Sequence, residues 1–85
     1  MLSLAFDADG WDDYVYWQST DKATLKRVNA LIKEVLRTPF EGTGKPESLK
    51  HDLVGCWSRR ITQEHRMVYR VAGNTLQILK LRYHY

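Results

Sequence analysis

The sequence is poor in features that would set it apart from ordinary globular proteins. Its 85 residues include one cysteine, Cys56, so the chain cannot build a disulfide framework. No apolar run is long enough to span a bilayer. The first ten residues, MLSLAFDADG, lack the basic region and cleavage site of a signal peptide. We therefore expect a cytoplasmic protein that does not enter the membrane, with Cys56 as a small buried hydrophobe.

Motifs for metal-dependent or nucleotide-dependent chemistry are also missing. The stretch EGTGKPE contains Gly-Thr-Gly-Lys, but the spacing of a phosphate-binding loop is absent and Pro46 follows the lysine. The three histidines and Cys56 do not fall at the short spacings of a zinc site. We expect neither a metal nor another cofactor.

Charge is present in quantity and unevenly placed. Residues 1–44 carry five Lys/Arg and seven Asp/Glu, whereas residues 45–85 carry eight Lys/Arg and three Asp/Glu. All three histidines lie in the second half, together with several aromatic residues. A basic half of this kind favours a polyanionic partner, with nucleic acid first. A solvated basic face is the alternative, and charge alone does not separate the two.

Hydrophobic periodicity predicts one α+β domain spanning residues 1–85. MLSLAF is typical of a short strand, and WDDYVYWQ and LKRVNALIKEVLR have helical spacing. From residue 54 the period changes to two, which predicts three strands: VGCWSRRIT, HRMVYRVA and TLQILKLRYHY. The predicted fold is a strand, two helices and a three-stranded antiparallel meander, with the helices on one face of the sheet.

Alternation along these strands divides their side chains between two faces. The face expected to pack on the helices holds Trp57, Ile61, Met67, Tyr69, Val71, Leu79, Leu81 and Tyr83. The opposite, open face holds Arg60, Arg66, Arg70, Lys80, Arg82 and His84. Arg59 falls on the apolar side, where we expect it to lie near an edge.

One constellation of residues suggests chemistry on the open face. RNA can be cut when its own 2′-hydroxyl attacks the adjacent phosphate, which needs a base, a cation and an acid. Glutamate and histidine can transfer the protons, and arginine can bind the phosphate. Glu47, Arg66 and His84 would supply these groups. On the residues alone, a non-catalytic nucleic-acid-binding module remains the simpler interpretation, and a protein that captures an acidic peptide is a third.

Three stretches resemble a known family: WDDYVYWQSTDK, RTPFEGTGKPESLKHDLVGCWSRRITQEHRMVYRV and the final RYHY. They are similar to the YoeB (Txe) toxins of the RelE superfamily. The resemblance implies a RelE-like fold and a ribosome-dependent endonuclease that cuts messenger RNA in the A site of the 70S ribosome. It also implies neutralisation by a YefM-type antitoxin, a homodimer, and binding of operator DNA only as the toxin–antitoxin complex.

The resemblance also implies roles for individual residues. Glu47 would be the general base, Arg66 would stabilise the transition state, His84 would be the general acid and Tyr85 would help place the substrate. Four further residues of the matching stretches and the basic face are expected to contact RNA: Lys50, Arg60, Arg82 and Tyr83. We expect the last strand to hold the C-terminus so that His84 and Tyr85 reach the open face opposite Glu47.

Overall fold

The computed structural model describes residues 1–83, which form two helices and one mixed five-stranded sheet. The elements in chain order are β1 (Ser3–Phe6), α1 (Ala8–Thr20), α2 (Lys22–Val35), β2 (Glu47–Ser48), a 3₁₀ turn (His51–Leu53), β3 (Trp57–Arg60), β4 (Arg66–Ala72) and β5 (Thr75–Lys80). The strand order across the sheet is β1-β5-β4-β3-β2. β1 runs parallel to β5, and the other neighbours are antiparallel.

The predicted α+β class, the two helices and the antiparallel meander are confirmed. The strand order differs from the prediction in one respect, because residues 47–48, predicted to lie in a loop, form the short edge strand β2. A two-residue strand is too short to show a period of two, and Pro46 directly before it is typical of a loop. Its pairing with β3 therefore could not be read from the local pattern.

The α2 helix is the amphipathic helix that the sequence predicts. Asp21 caps its N-terminus, where the carboxylate accepts hydrogen bonds from the Thr24 backbone N–H at 3.0 Å and the Thr24 hydroxyl at 2.8 Å. The bond from the Thr24 N–H is the main reason that the pKa of Asp21 lies below its ordinary value. No helix within residues 1–83 is long and apolar enough to cross a membrane.

The main core lies between the helices and one face of the sheet. Its buried members are Trp17, Val28, Leu31, Ile32, Val35, Ile61, Met67, Tyr69, Leu76, Ile78 and Leu81. The α1 helix lies close against β5 at Gly10, where a Cβ atom would lie only 2.3 Å from the Ile78 carbonyl oxygen. Glycine at this position therefore lets the helix backbone rest directly on the strand.

A bulge in β5 changes the face to which Leu79 belongs. Tyr69 pairs with Ile78 and Val68 pairs with Lys80, so Leu79 is the extra residue between two register pairs. It packs against a second small cluster on the open face, formed by Leu49, Cys56 and Val68 with Leu53 beside them. The prediction that Leu79 packs on the helices was wrong, whereas the buried position of Cys56 is confirmed.

Candidate active site

Strand pairing brings Glu47 onto the same face as the two arginines at the end of the β3–β4 hairpin. Glu47 pairs with Ser58, which pairs with Val68, so the three side chains form one row across the open face. Arg60 and Arg66 pair with each other in the next row, two residues along. Strand spacing and rise place the Glu47 and Arg66 Cα atoms about 12 Å apart, which leaves room for a phosphate between the long side chains.

Glu47 and Lys50 line a groove of ≈ 490 Å³ formed by residues 47–53. The groove wall is anchored from below by Leu49, whose side chain is buried in the small open-face cluster. The Leu49 N–H also donates to the Cys56 carbonyl at 2.9 Å. Both predicted residues are therefore exposed on a segment whose backbone and apolar side chain are fixed to the sheet.

The loop that leads to Glu47 is organised by Arg59, which is fully buried. Its guanidinium donates to Glu34 Oε1 (2.6 Å), Thr38 O (2.6 Å), Glu41 O (2.7 Å), Thr43 O (3.2 Å) and the Tyr69 hydroxyl (3.2 Å). Arg59 lies on β3, next to the two-residue edge strand β2, but the loop carbonyls enclose its charge inside the molecule. An arginine in an apolar position of a strand was the only sequence signal of this arrangement.

The groups around Arg59 have shifted pKa values. A 2.6 Å hydrogen bond from the Thr43 N–H, followed by the contact with Arg59, holds the pKa of Glu34 below its ordinary value. Burial raises the pKa of Tyr69, whose hydroxyl donates to the Pro39 carbonyl at 2.6 Å. Residues 38–44 are thus held from both the α2 helix and the sheet, which fixes where the chain enters β2.

Arg60 and Arg66 form a like-charged cross-strand pair. Arg60 is exposed, and its backbone N–H donates to Gly44 O at 2.7 Å, which joins the loop to β3. Arg66 is half-buried, and its Nη1 donates to the carbonyls of Thr62 (2.8 Å), Gln63 (3.2 Å) and His65 (3.1 Å). Like charges directly opposite each other in a sheet are unfavourable by themselves, so an anion bound between them would be stabilising.

Arg82 and Tyr83 do not occupy the faces predicted for them. The Arg82 guanidinium lies 3.6 Å from the centre of the Tyr16 ring on α1, so it stacks on the helix rather than joining the open face. Tyr83 is 59% exposed instead of packing in the core, and its φ of 58° turns the chain away from the strand direction. Both predictions extended the alternation of β5 beyond Lys80, where the strand ends.

His84 and Tyr85 lie outside the described residues, so their predicted roles stay predictions.

His65 is a residue that the sequence analysis did not single out. Its Nδ1 accepts a 2.7 Å hydrogen bond from the Tyr83 backbone N–H, directly beside Arg66. Among residues 1–83, no group of three or more His, Cys, Asp or Glu side chains is placed to hold a metal ion.

Comparison with known proteins gives matches along nearly the whole chain. The Toxin YoeB of Escherichia coli K12 is 58% identical over 84 residues, which cover 99% of this chain and all of that protein. A YoeB-YefM complex from Staphylococcus aureus contains a chain that is 43% identical with a TM-score of 0.90, covering 100% of this chain and 99% of its own.

A YoeB dimer from Staphylococcus aureus is 45% identical with a TM-score of 0.91, and the match covers 99% of this chain and 98% of that one. The family model for the YoeB-like toxin of bacterial type II toxin-antitoxin systems matches residues 6–85. The matched residues include β2, both arginines of the hairpin and the C-terminal stretch. The chain therefore belongs to the family of YoeB-like toxins of bacterial type II toxin–antitoxin systems.

Proposed function

We propose that this toxin is a ribosome-dependent endoribonuclease that cleaves messenger RNA in the ribosomal A site and so inhibits translation. The observation that carries the proposal is the shared face of Glu47, Arg60 and Arg66. On one face of a sheet, a carboxylate can remove a proton on one side of a bound phosphate while arginines bind the negative charge on the other side. The family to which the chain belongs supports the same reading.

The proposed reaction needs only groups of the chain and the RNA. Glu47 takes the proton of a 2′-hydroxyl, whose oxygen attacks the adjacent phosphorus and forms a new P–O bond. Arg66 stabilises the charge that builds on the phosphorane. The bond to the 5′ oxygen then breaks, and His84 donates the proton that this oxygen needs. The products are a 2′,3′-cyclic phosphate and a 5′-hydroxyl, and no cofactor takes part.

Four further residues are proposed to hold the RNA. Lys50 in the groove and Arg60 on the open face are exposed cations that can contact neighbouring phosphates. Tyr83 presents an exposed ring on which a base can stack. Arg82 remains a proposed contact, approached from the side of Tyr16 rather than from the sheet. Tyr85 is proposed to help place the reacting nucleotide.

The assemblies named for the staphylococcal relatives suggest partners for this chain. Because a protein with a TM-score of 0.90 occurs in complex with YefM, we propose a YefM-type antitoxin here. A homodimer is proposed on the same ground. Operator DNA would be bound only by the toxin–antitoxin complex. A substrate held by the ribosome would place the active protein in the cytoplasm.

The catalytic assignment is tested by removing each proton-transfer group. Glu47→Gln, His84→Gln and a chain that ends at Tyr83 should each lower the cleavage rate of ribosome-bound message by about 10²–10⁴-fold, the usual contribution of a positioned acid or base. Glu64→Gln, an exposed carboxylate on the β3–β4 turn, is the charge-matched control and should cleave at the parent rate. Melting curves recorded in parallel should stay close to the parent curve. A truncated chain that still cuts message at the parent rate would remove His84 as the acid.

A non-catalytic nucleic-acid-binding module is the alternative, since the Arg60–Arg66 pair would also suit binding alone. His84→Lys separates the two, because a binder keeps its function when the site stays cationic, whereas an enzyme loses turnover. Ribosome dependence is tested by comparing free and ribosome-bound message. Positioning by the ribosome could lower the barrier by ~7–11 kcal/mol, so equal rates on both substrates would contradict the proposal.

A further inference from the structure

The three residues that follow β5 are held more firmly than a chain end usually is. The Leu81 N–H donates to Asp13 Oδ2 at 2.9 Å, and the Leu81 carbonyl accepts from Trp17 Nε1 at 2.9 Å. The Tyr83 carbonyl accepts from the Arg66 N–H at 3.0 Å, and the Tyr83 N–H donates to His65 Nδ1 at 2.7 Å. We call Asp13, Trp17 and His65 the C-terminal clasp, because each gives a side chain to this segment.

The α1 half of the clasp is built into the core. Asp13 and Trp17 are four residues apart, so they lie one above the other on the same face of the helix. Trp17 is 5% exposed, and its hydrogen bond to the Leu81 carbonyl is buried. Breaking this bond would leave the buried Trp17 N–H without an acceptor, which would lower the free energy of unfolding. The bond therefore holds the end of β5 against α1.

The His65 half of the clasp fixes the residue where the chain turns. A backbone N–H can only donate, so Nδ1 of His65 must accept and the ring proton must be on Nε2. The ring is held edge-to-face against Trp17 at 4.8 Å between centroids, and it packs against Tyr83 at 5.1 Å. His65 is therefore fixed by the core on one side and bound to the turning residue on the other.

Tyr83 needs such a partner because of its backbone conformation. A φ of 58° is in the left-handed region, which an aromatic residue with a Cβ atom rarely adopts. Strained backbone of this kind persists only where the surroundings determine it. Two hydrogen bonds hold Tyr83 in this conformation: its N–H donates to His65, and its carbonyl accepts from the Arg66 N–H. Both lie beside the proposed phosphate-binding arginine.

We propose that His65, supported by Asp13 and Trp17, is a positioning residue for the reaction: it fixes the backbone of Tyr83, the residue that precedes the proposed acid His84 in the sequence. This inference rests on the proposed function, which gives His84 the role of general acid. His65 itself is assigned no contact with substrate. Its role is to hold the backbone of Tyr83 and thereby reduce the freedom of the group that must donate the proton.

The clasp can be tested without any activity measurement. Amide hydrogen exchange is followed in the full chain for the parent, His65→Ala and His65→Asn, whose Oδ1 can replace Nδ1 as acceptor. The Tyr83 amide should exchange at least about tenfold faster in His65→Ala and near the parent rate in His65→Asn, which is a loss of one hydrogen bond. The Met67 and Tyr69 amides in the middle of β4 should stay protected. An equally protected Tyr83 amide in His65→Ala would overturn the clasp.

The positioning role is tested by a double-variant cycle on ribosome-bound message. His65→Ala should lower kcat by about 10–100-fold with little change in KM, because a misplacement of 1 Å can cost that much. His65→Asn should recover most of kcat. In a His84→Gln background the same His65→Ala change should lower kcat by less than about threefold, because the group that His65 is proposed to position is already absent. Equal losses in both backgrounds would overturn the inference and leave His65 a purely structural residue.

Two further measurements keep the outcomes distinct. If His65→Ala does not fold, Asp13→Ala opens the α1 side of the clasp while the aromatic core stays in place, and it should raise the exchange rate of the Leu81 amide and lower kcat in the same His84-dependent way. Cleavage at the parent rate by His84→Gln alone would refute the proposed acid and with it the catalytic purpose of the clasp. The exchange experiment would still report on the clasp itself.

Discussion

Arg59 shows how one buried side chain can organise a loop that has little hydrophobic content of its own. The planar guanidinium presents five N–H donors in a fixed fork, and the loop of residues 38–44 turns three backbone carbonyls towards it. Glu34 compensates the charge from α2. The loop is held by polar contacts to one residue, and the segment that carries Glu47 follows directly.

We expect Arg59→Met to destabilise the protein by about 3–5 kcal/mol, the cost of breaking a buried ion pair by removing one partner. Methionine has a similar length but leaves Glu34 and the loop carbonyls without their donor. Arg59→Lys should recover only part of the loss, because one ammonium group cannot reach acceptors on several sides. Urea denaturation of the three proteins measures the difference. A Met variant as stable as the parent would show that the loop is held by other contacts.

Glu34 should make the stability depend on acid pH. Its folded-state pKa lies below the ordinary value of 4.5, so its contribution to the free energy of unfolding is fully present above about pH 4.5 and is lost as the pH falls below that value. Glu34→Gln should therefore have a lower free energy of unfolding than the parent at neutral pH. This difference, the gap, should narrow as the pH falls from 4.5 to 3. Denaturation curves at several pH values test this, with Glu64→Gln as the charge-matched control. A gap that stays constant over this range would contradict the assignment.

At the scale of elements, α1 does more than cover the sheet. Its first turn rests on β5 through Gly10, its middle presents Asp13 and Trp17 to the end of β5, and Tyr16 supports the Arg82 guanidinium. One helix thus sets both the distance to the strand and the direction in which the chain leaves it. The bulge at Leu79 acts at the same place, since it returns Leu81 to the core face after the extra residue.

Gly10→Ala should be destabilising although alanine favours helices. The added Cβ would lie 2.3 Å from the Ile78 carbonyl oxygen, which is backbone and cannot move aside as a side chain could. Overpacking of this kind costs about 1–3 kcal/mol, which exceeds the gain of about 1 kcal/mol in helix propensity. Thermal melting measures the change, with Gln18→Ala on the exposed side of α1 as the control. A Gly10→Ala protein that melts at or above the parent temperature would mean that α1 can shift away freely.

At the scale of the whole molecule, the sheet separates two environments. One face is buried under the helices, and the other presents cations around a small apolar cluster. Lys80 lines a pocket with three aspartates of α1, so the cationic members of the open face are Arg60, Arg66 and Arg70. They lie on neighbouring strands, so their charges can act together on one extended anion.

RNA binding by this face should depend strongly on salt. If these three arginines contact phosphates of a single strand, the slope of log K against log salt should be about −2, and Arg60→Gln with Arg70→Gln should make it less negative by about 1.4. The measurement uses a short single-stranded RNA and the Glu47→Gln background, so that binding is read without cleavage. Lys26→Gln with Lys33→Gln on the exposed side of α2 is the matched control. An unchanged slope in the sheet variant, or an equal change in the control, would move the binding surface elsewhere.

Local pattern was sufficient for a large part of this molecule. The amphipathic spacing of α2 predicted its buried face. The alternation in β3 and β4 predicted the correct faces for Trp57, Met67, Tyr69, Arg60 and Arg66. Both succeed because burial on one side of an element imposes a period on its sequence. The family, and with it the candidate residues Glu47 and Arg66, could also be inferred from motifs. For Glu47 and Arg66 the structure adds a shared face, which neither motif contains.

The conformations of the irregular segments were determined by tertiary contacts alone. The edge strand β2, the bulge at Leu79 and the loop around Arg59 depend on partners distant in sequence, and so does the departure of the chain after Lys80. Asp13 and Leu81, for example, are 68 positions apart. Periodicity reports only which side of an element is buried, whereas a hydrogen bond between distant segments leaves no repeating trace in either one. The sequence therefore determined which residues are available for the site, and long-range contacts determined where their backbones are held.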